Sequence, residues 1–174
     1  MKFIKSGVGI LFSLVVFTMM VACGNDSAGV ETNQSAGASN LTLTELDIYK
    51  SESCGCCGAW IEHMEDNNFS ARIHHPTDLN DIKTRYGIDA QWQSCHTAVS
   101  KEGYVFEGHI PAKFIQQFLT RPPADAIGLA VPGMPLGSPG MEVNDRFMPY
   151  QIILLKKDGS TETYATVNSL QQQY

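Results

Sequence analysis

The chain has 174 residues, of which 43% are hydrophobic and 17% charged, and a formal net charge of −6. That length is enough for one domain of ordinary size with its own core. Its lysines and arginines are scattered and outnumbered by acids, which leaves no basic footprint for nucleic acid and favours cations instead.

The amino-terminal segment reads as a targeting signal. Lys2 and Lys5 precede the apolar run VGILFSLVVFTMMVA, which ends just before Cys23. The run is short for a bilayer span, so residues 1–22 are assigned to a secretory signal. Val21-Ala22-Cys23-Gly24 resembles a bacterial lipoprotein signal, in which the cysteine is lipidated and heads the mature chain; Met20 stands where leucine is usual. Glycine after the cysteine, not aspartate, favours the outer membrane. The alternatives are a plain cleaved signal or an uncleaved anchor. Each places the domain outside the cytoplasm, at the periplasmic face of a bacterial envelope, with the lipid as its one membrane contact. Loss of residues 1–22 removes two lysines and no acids, which moves the net charge from −6 to −8. Residues 23–40 are small, polar and aperiodic and read as a flexible tether, followed by one domain over 41–174.

Within the domain, LTELDIYKS alternates as a strand does, and GAWIEHMEDNNF spaces Trp60, Ile61 and Met64 along a helix that Asn67-Asn68 can stop. ARIHH is a second strand. TDLNDIKTRYG is a helix with Thr77 or Asp78 as N-cap, Leu79, Ile82 and Tyr86 on one face, and Gly87 at its end. HTAVSKEGYVFEG is a hairpin. PAKFIQQFLTRPP is a helix with Pro111 in its first turn and Phe114, Ile115, Phe118 and Leu119 on its apolar face. IGLAVPGMPLGSPGM reads as a glycine- and proline-rich loop, and YQIILLKKDGSTETYATV as a second hairpin turning at Asp158-Gly159. The order β-α-β-α-β-β-α plus a hairpin, with cysteines between the first strand and first helix, is an α/β fold of the thioredoxin-like arrangement.

Chemistry is concentrated in ESCGCCGAW. Cys54 and Cys57 have C-x-x-C spacing at a predicted helix amino terminus, where free amides and the helix dipole stabilise a thiolate. The pair can close a disulfide or grip a metal. Cys56 argues for metal: a dithiol switch needs two sulfurs, and a third invites scrambled bridges in an oxidising compartment. A small buried residue is the plainer reading of Cys56. Cys95 begins the third strand, which in this arrangement lies against the dicysteine. Strand alternation points His96 away from Cys95 unless the backbone bulges, so His96 is held in reserve. His109 is a ligand or the cap of the third helix. His63 reads as solvated, and His74 and His75 straddle a strand end. Met134 and Met141 sit in a loop with little core to fill, and thioethers suit Cu(I) and hold zinc poorly. Met64 reads as core, while Met148 beside Pro149 is ambiguous.

Taken together, CGCCGAW, SCHTA, GYVFEGHIPA and GLAVPGMPLGSPGME resemble the CopG-type copper-resistance family with a C-x-C-C motif, over roughly residues 43–168. The resemblance implies a thioredoxin-like, extracytoplasmic protein of bacterial copper handling that holds a copper cluster, with redox between Cu(I) and Cu(II). It implies Cys54, Cys56, Cys57, Cys95, His109, Met134 and Met141 as copper ligands, with copper ions and other periplasmic copper-handling or redox proteins as partners. Cys54 and Cys57 are the residues expected to carry redox chemistry. The competing readings are a thiol–disulfide oxidoreductase in which Cys54 and Cys57 suffice, a non-catalytic copper store or chaperone, and a structural zinc site.

Overall fold

The computed structural model of the chain describes residues 43–174. The signal, Cys23 and the tether lie outside the described residues. Seven strands form one sheet, in the order β2-β1-β3-β4-β5-β6-β7. In chain order the elements are β1 (Thr44–Lys50), α1 (Gly55–Asp66), β2 (Phe69–His74), α2 (Leu79–Arg85), β3 (His96–Ser100), β4 (Val105–Glu107), α3 (Ala112–Thr120), β5 (Ala126–Ala130), β6 (Tyr150–Lys156) and β7 (Thr161–Val167). Short 3₁₀ turns occupy Ala90–Trp92 and Leu170–Gln173. β1 and β2 run parallel, and β3 and β4 run antiparallel beside them. This is the expected thioredoxin-like fold. No helix among the described residues is long and apolar enough to cross a membrane.

Alternation along the strands sorts the core into two layers. Leu46, Ile48, Ala98, Phe106, Ile152 and Leu154 face α1 and α3, where Trp60, Met64, Ile115 and Phe118 meet them. Their neighbours Val99, Val105, Ile153 and Leu155 face the other way and pack with Ile88. The helix signals act as expected. Asp78 caps α2, its side chain accepting from the Asn80 amide at 2.8 Å. Asn68 turns left-handed at φ 65° after α1, and Gly87 does so at φ 70° after α2.

One expectation is corrected. Residues 127–130, read as part of a loop, belong to β5, which pairs parallel with β4 and antiparallel with β6. Gly128 disguises the strand in the sequence. In the fold it is what lets β5 lie against Val105, where a side chain has no room. Through β5 the terminal hairpin joins the same sheet.

Beneath the end of β3 and β4 sits a buried ion pair. Lys83 from α2 contacts Glu107 directly and donates to Thr97 Oγ1 at 3.2 Å. Thr97 donates to the other Glu107 oxygen at 2.6 Å, and the Ser94 amide donates to the first at 2.6 Å. A buried pair is strongly destabilising when only one partner is removed. Glu107→Leu is therefore expected to lower unfolding free energy by about 3–5 kcal/mol, and Glu107→Leu with Lys83→Met to recover most of that loss in urea denaturation.

Candidate metal centre

The antiparallel register of β1 and β3 sets the site. Lys50, the last residue of β1, is paired with His96, the first of β3. The chain beyond Lys50 and the chain before His96 therefore leave the sheet at the same end. One carries Cys54, Cys56 and Cys57 into α1, and the other carries Cys95. Cys54 stands at the N-cap position in extended conformation, with no side-chain cap on the helix, so the first-turn amides face the sulfur cluster.

Cys54 and Cys57 are joined in a disulfide, while Cys56 and Cys95 are free. Cys56 Sγ lies 3.5 Å from Cys54 Sγ, and the Cys57 sulfur reaches the Cys95 carbonyl at 3.8 Å. The sulfurs of Cys54, Cys56, Cys57 and Cys95 all lie within 4.8 Å of one another. A second group, Cys95 with His96 and His109, meets the same limit and shares the Cys95 sulfur. Cys95 thus links the sulfur cluster to two imidazoles.

His109 is oriented by its partners. Its Nδ1–H donates to the Pro139 carbonyl at 2.8 Å, so the Nε2 lone pair faces Cys95 Sγ at 3.0 Å. Such a carbonyl partner is what fixes the tautomer of a metal-binding histidine. Burial lowers its pKa, which keeps the ring neutral and able to donate electrons. Gly108 precedes it at φ 78°, and a Cβ there would lie 2.5 Å from the Val131 carbonyl and 2.7 Å from Ser94. Glycine is required for the chain to turn His109 into the site.

His96 enters the site against expectation. Its Nδ1 is 3.4 Å from Cys95 Sγ, and its ring packs against Trp60 and His109 at centroid distances of 4.3 and 5.1 Å. Alternation does not separate it from Cys95, because β3 starts at His96 and Cys95 lies outside the strand. Burial, then the charges of His109 and the lysines, pushes its pKa well down. Its Nε2 is buried with no hydrogen-bond partner among the described residues. Burial likewise pushes the Cys95 thiol up to about 11, aided by Cys56. Cys95 is therefore a thiol at neutral pH and donates to His109 Nε2.

The loop from Val131 to Pro149 closes one side. A Cβ on Gly140, at φ 82°, would fall 2.6 Å from the Cys56 carbonyl and 2.7 Å from the Trp60 amide, so the loop backbone lies directly on α1. Met141 follows, half-buried. The Gly133 carbonyl accepts from Ser94 Oγ at 2.5 Å, which ties the loop backbone to the residue before Cys95, and Met134 next to it is 53% exposed. The backbone of the loop, not its thioethers, makes these contacts. Met148 is 57% exposed, with its amide on the Leu136 carbonyl at 2.9 Å. Met64 is core, as expected. A surface cavity of about 400 Å³ lined by Thr84, Ile88, Trp92, Ile127, Leu155 and Thr161 contains no cysteine or histidine.

Two histidine roles differ from the sequence reading. His63, not His109, caps α3: the Ala112 amide donates to its Nε2 at 3.0 Å. It is half-buried and edge-on to Tyr174, not solvated. His74 is bound up with Asp47 at 2.6 Å, and His75 with the Lys50 carbonyl at 3.1 Å, so neither belongs to the cluster.

Two solved structures, described as "Copper resistance protein copG", Form 2 and Form 1, each share 40% identity with the chain at a TM-score of 0.68. The matches cover 72% and 73% of this chain and 99% of each of theirs. The chain belongs to the CopG family. A family model described as "Protein of unknown function, DUF411" matches residues 92–141, which runs from before Cys95 to Met141. No curated protein matches. CopG membership agrees with the C-x-C-C motif and thioredoxin-like fold read from the sequence.

The capping role of His63 gives a pH dependence. Burial lowers its pKa below the ordinary 6.5, and only the neutral ring accepts from Ala112. The unfolded chain then binds more protons than the folded one, so stability is full above pH 6.5 and falls as pH drops through the folded-state value. Urea midpoints are expected to decline from pH 7 to pH 5, with His96 and His109 contributing in the same direction, and His63→Gln, which keeps an acceptor without the titration, is expected to make that decline shallower without abolishing it.

Proposed function

We propose that the protein binds Cu(I) through Cys54, Cys56, Cys57 and Cys95 in their reduced state and works in copper resistance as a Cu(I)/Cu(II) oxidoreductase. The observation that carries this reading is the four-sulfur group that Cys95 joins to two imidazoles, in a chain 40% identical to proteins described as copper resistance proteins. Thiolates hold Cu(I); imidazole accommodates Cu(II). A sulfur shared by both groups fits more than one ion. His96 presents Nδ1 to the shared sulfur at 3.4 Å and adds a second imidazole nitrogen to the site. Met134 and Met141 serve as soft ligands at the rim, and His109 ligates through Nε2.

The disulfide supplies a redox partner for the metal. Closing Cys54–Cys57 from the dithiol releases two electrons and two protons, which match the reduction of two Cu(II) ions to Cu(I). Cys54 and Cys57 are the pair that turns over, and Cys56 and Cys95 keep hold of metal. An external dithiol reductant reopens the bridge. The signal, the lipidated Cys23 and the tether place this domain at the periplasmic face of the outer membrane, beside other copper-handling or redox proteins.

A second reading has its own support. A disulfide at a helix amino terminus in this fold fits a thiol–disulfide oxidoreductase, which needs only Cys54 and Cys57. A store or chaperone would bind the same metal without turnover. Anaerobic titration of the reduced protein with Cu(I) against a competing chelator is expected to retain more than one ion per chain, and oxidised protein far less. Cys56→Ser and Cys95→Ser are each expected to weaken retention at least tenfold. Failure of reduced protein to retain copper, with disulfide exchange intact in both mutants, returns the case to the dithiol enzyme. Retention without Cu(I)/Cu(II) turnover assigns a store.

A further inference from the structure

Lys50 is 7% exposed, at the end of the interior strand β1. Directly opposed residues of an antiparallel pair project to the same face of a sheet. Lys50 is opposed to His96, so its side chain emerges on the face that carries the cluster. The ammonium donates to the Ser51 carbonyl at 2.9 Å and the Glu52 carbonyl at 3.4 Å. The Cys54 amide donates to the same Ser51 carbonyl at 3.1 Å. Cation and helix-leading cysteine therefore share one acceptor, and the ammonium lies within the reach of two hydrogen bonds from the Cys54 backbone.

The charge is otherwise unbalanced. Among the described residues no carboxylate lies within ion-pair distance of Lys50. Lys83, the other buried lysine, has Glu107. Carbonyl dipoles offset only part of the desolvation of a buried cation, which is why buried charges normally carry a partner of opposite sign. Opening the Cys54–Cys57 bridge adds two ionisable sulfurs on the side of the turn that the ammonium holds. While fewer Cu(I) ions than thiolates are bound, the loaded site is anionic as well.

We propose that Lys50 is the built-in counter-cation of the cysteine cluster: a positioning residue that holds the Ser51–Cys54 turn by hydrogen bonds and stabilises the reduced, anionic and copper-loaded states by its charge. The inference rests on the copper reading for its second half and on the disulfide alone for its first.

The test uses two variants of the whole protein. Lys50→Gln keeps a donor for the carbonyls and removes the charge; Lys50→Arg keeps the charge. Without metal, the Cys54–Cys57 dithiol–disulfide equilibrium is measured in a dithiothreitol redox buffer at neutral pH. Lys50→Gln is expected to shift it about tenfold toward the disulfide, about 30 mV for this two-electron couple, and Lys50→Arg less than about threefold. In the reduced protein, Cu(I) retention against a chelator is expected to fall about tenfold in Lys50→Gln and to return in Lys50→Arg. Thermal unfolding of the oxidised forms checks that both variants fold. A folded Lys50→Gln with wild-type equilibrium and wild-type retention overturns the proposal, as does a Lys50→Arg that behaves like Lys50→Gln. If Lys50→Gln does not fold, Lys50→Arg alone decides, since a charge role predicts near wild-type values for it. Wild-type protein that binds no Cu(I) overturns the copper reading instead, and the metal-free equilibrium still judges Lys50.

Discussion

Everything at the site depends on how the end of β1 lies beside the start of β3. Their register is held from Leu46–Ser100 to Lys50–His96, and a one-residue slip would turn each side chain to the other face. Because the pairing stops where it does, the cysteine-bearing turn and Cys95 leave the sheet together. The first turn of α1 then adds free amides, and β4 returns His109 to the same end. Glu107 fixes the approach from below by accepting the Ser94 amide, which is one residue from Cys95. A polar network on one face of the sheet thus positions a thiol on the other.

Packing makes the site two-state in its electrostatics. With the Cys54–Cys57 bridge closed two thiols remain, and the half-buried one at Cys95 holds its proton strongly beside neutral histidines. Opening the bridge doubles the number of free sulfurs in the same small space, where mutual repulsion of thiolates is severe unless cations intervene. The geometry therefore disfavours accumulation of bare thiolates, whose charge protons or cations must neutralise. It also explains a loop anchored by backbone: Gly140 and Pro139 touch α1 and His109 through main-chain atoms, which do not change with redox state.

Much of this was legible in the residues. Helix caps, hairpin turns and periodicity located nearly every element, since those signals are local. The approach of Cys95 to the C-x-C-C turn followed once the order of elements was read as thioredoxin-like, whereas His109 stood open between ligand and helix cap and was named a ligand by the family resemblance alone. What escaped was set by tertiary context. β5 carries a glycine at its centre and gains its strand character from neighbours on both sides. His96 was set aside by an alternation rule that holds inside a strand and lapses one residue before it. His63 looked solvated because nothing local reveals that α3 begins against it. Lys50 and Glu107 are charged residues in strand patterns, and only pairing shows that they are buried. The oxidation state of the cysteines has no signature in the order of residues.

The order of strands has an evolutionary corollary. β1 and β3, which set the centre, are interior to the sheet, and the outermost strands are β2 and β7. Growth of a sheet by further strands happens at its margins. A lineage can therefore lengthen, decorate or trim the β6–β7 flank with little effect on the sulfur geometry, whereas insertions between β1 and β3 would be purged. Divergence among relatives is expected to be freest on the β6–β7 flank, the margin farther from the β1–β3 pair.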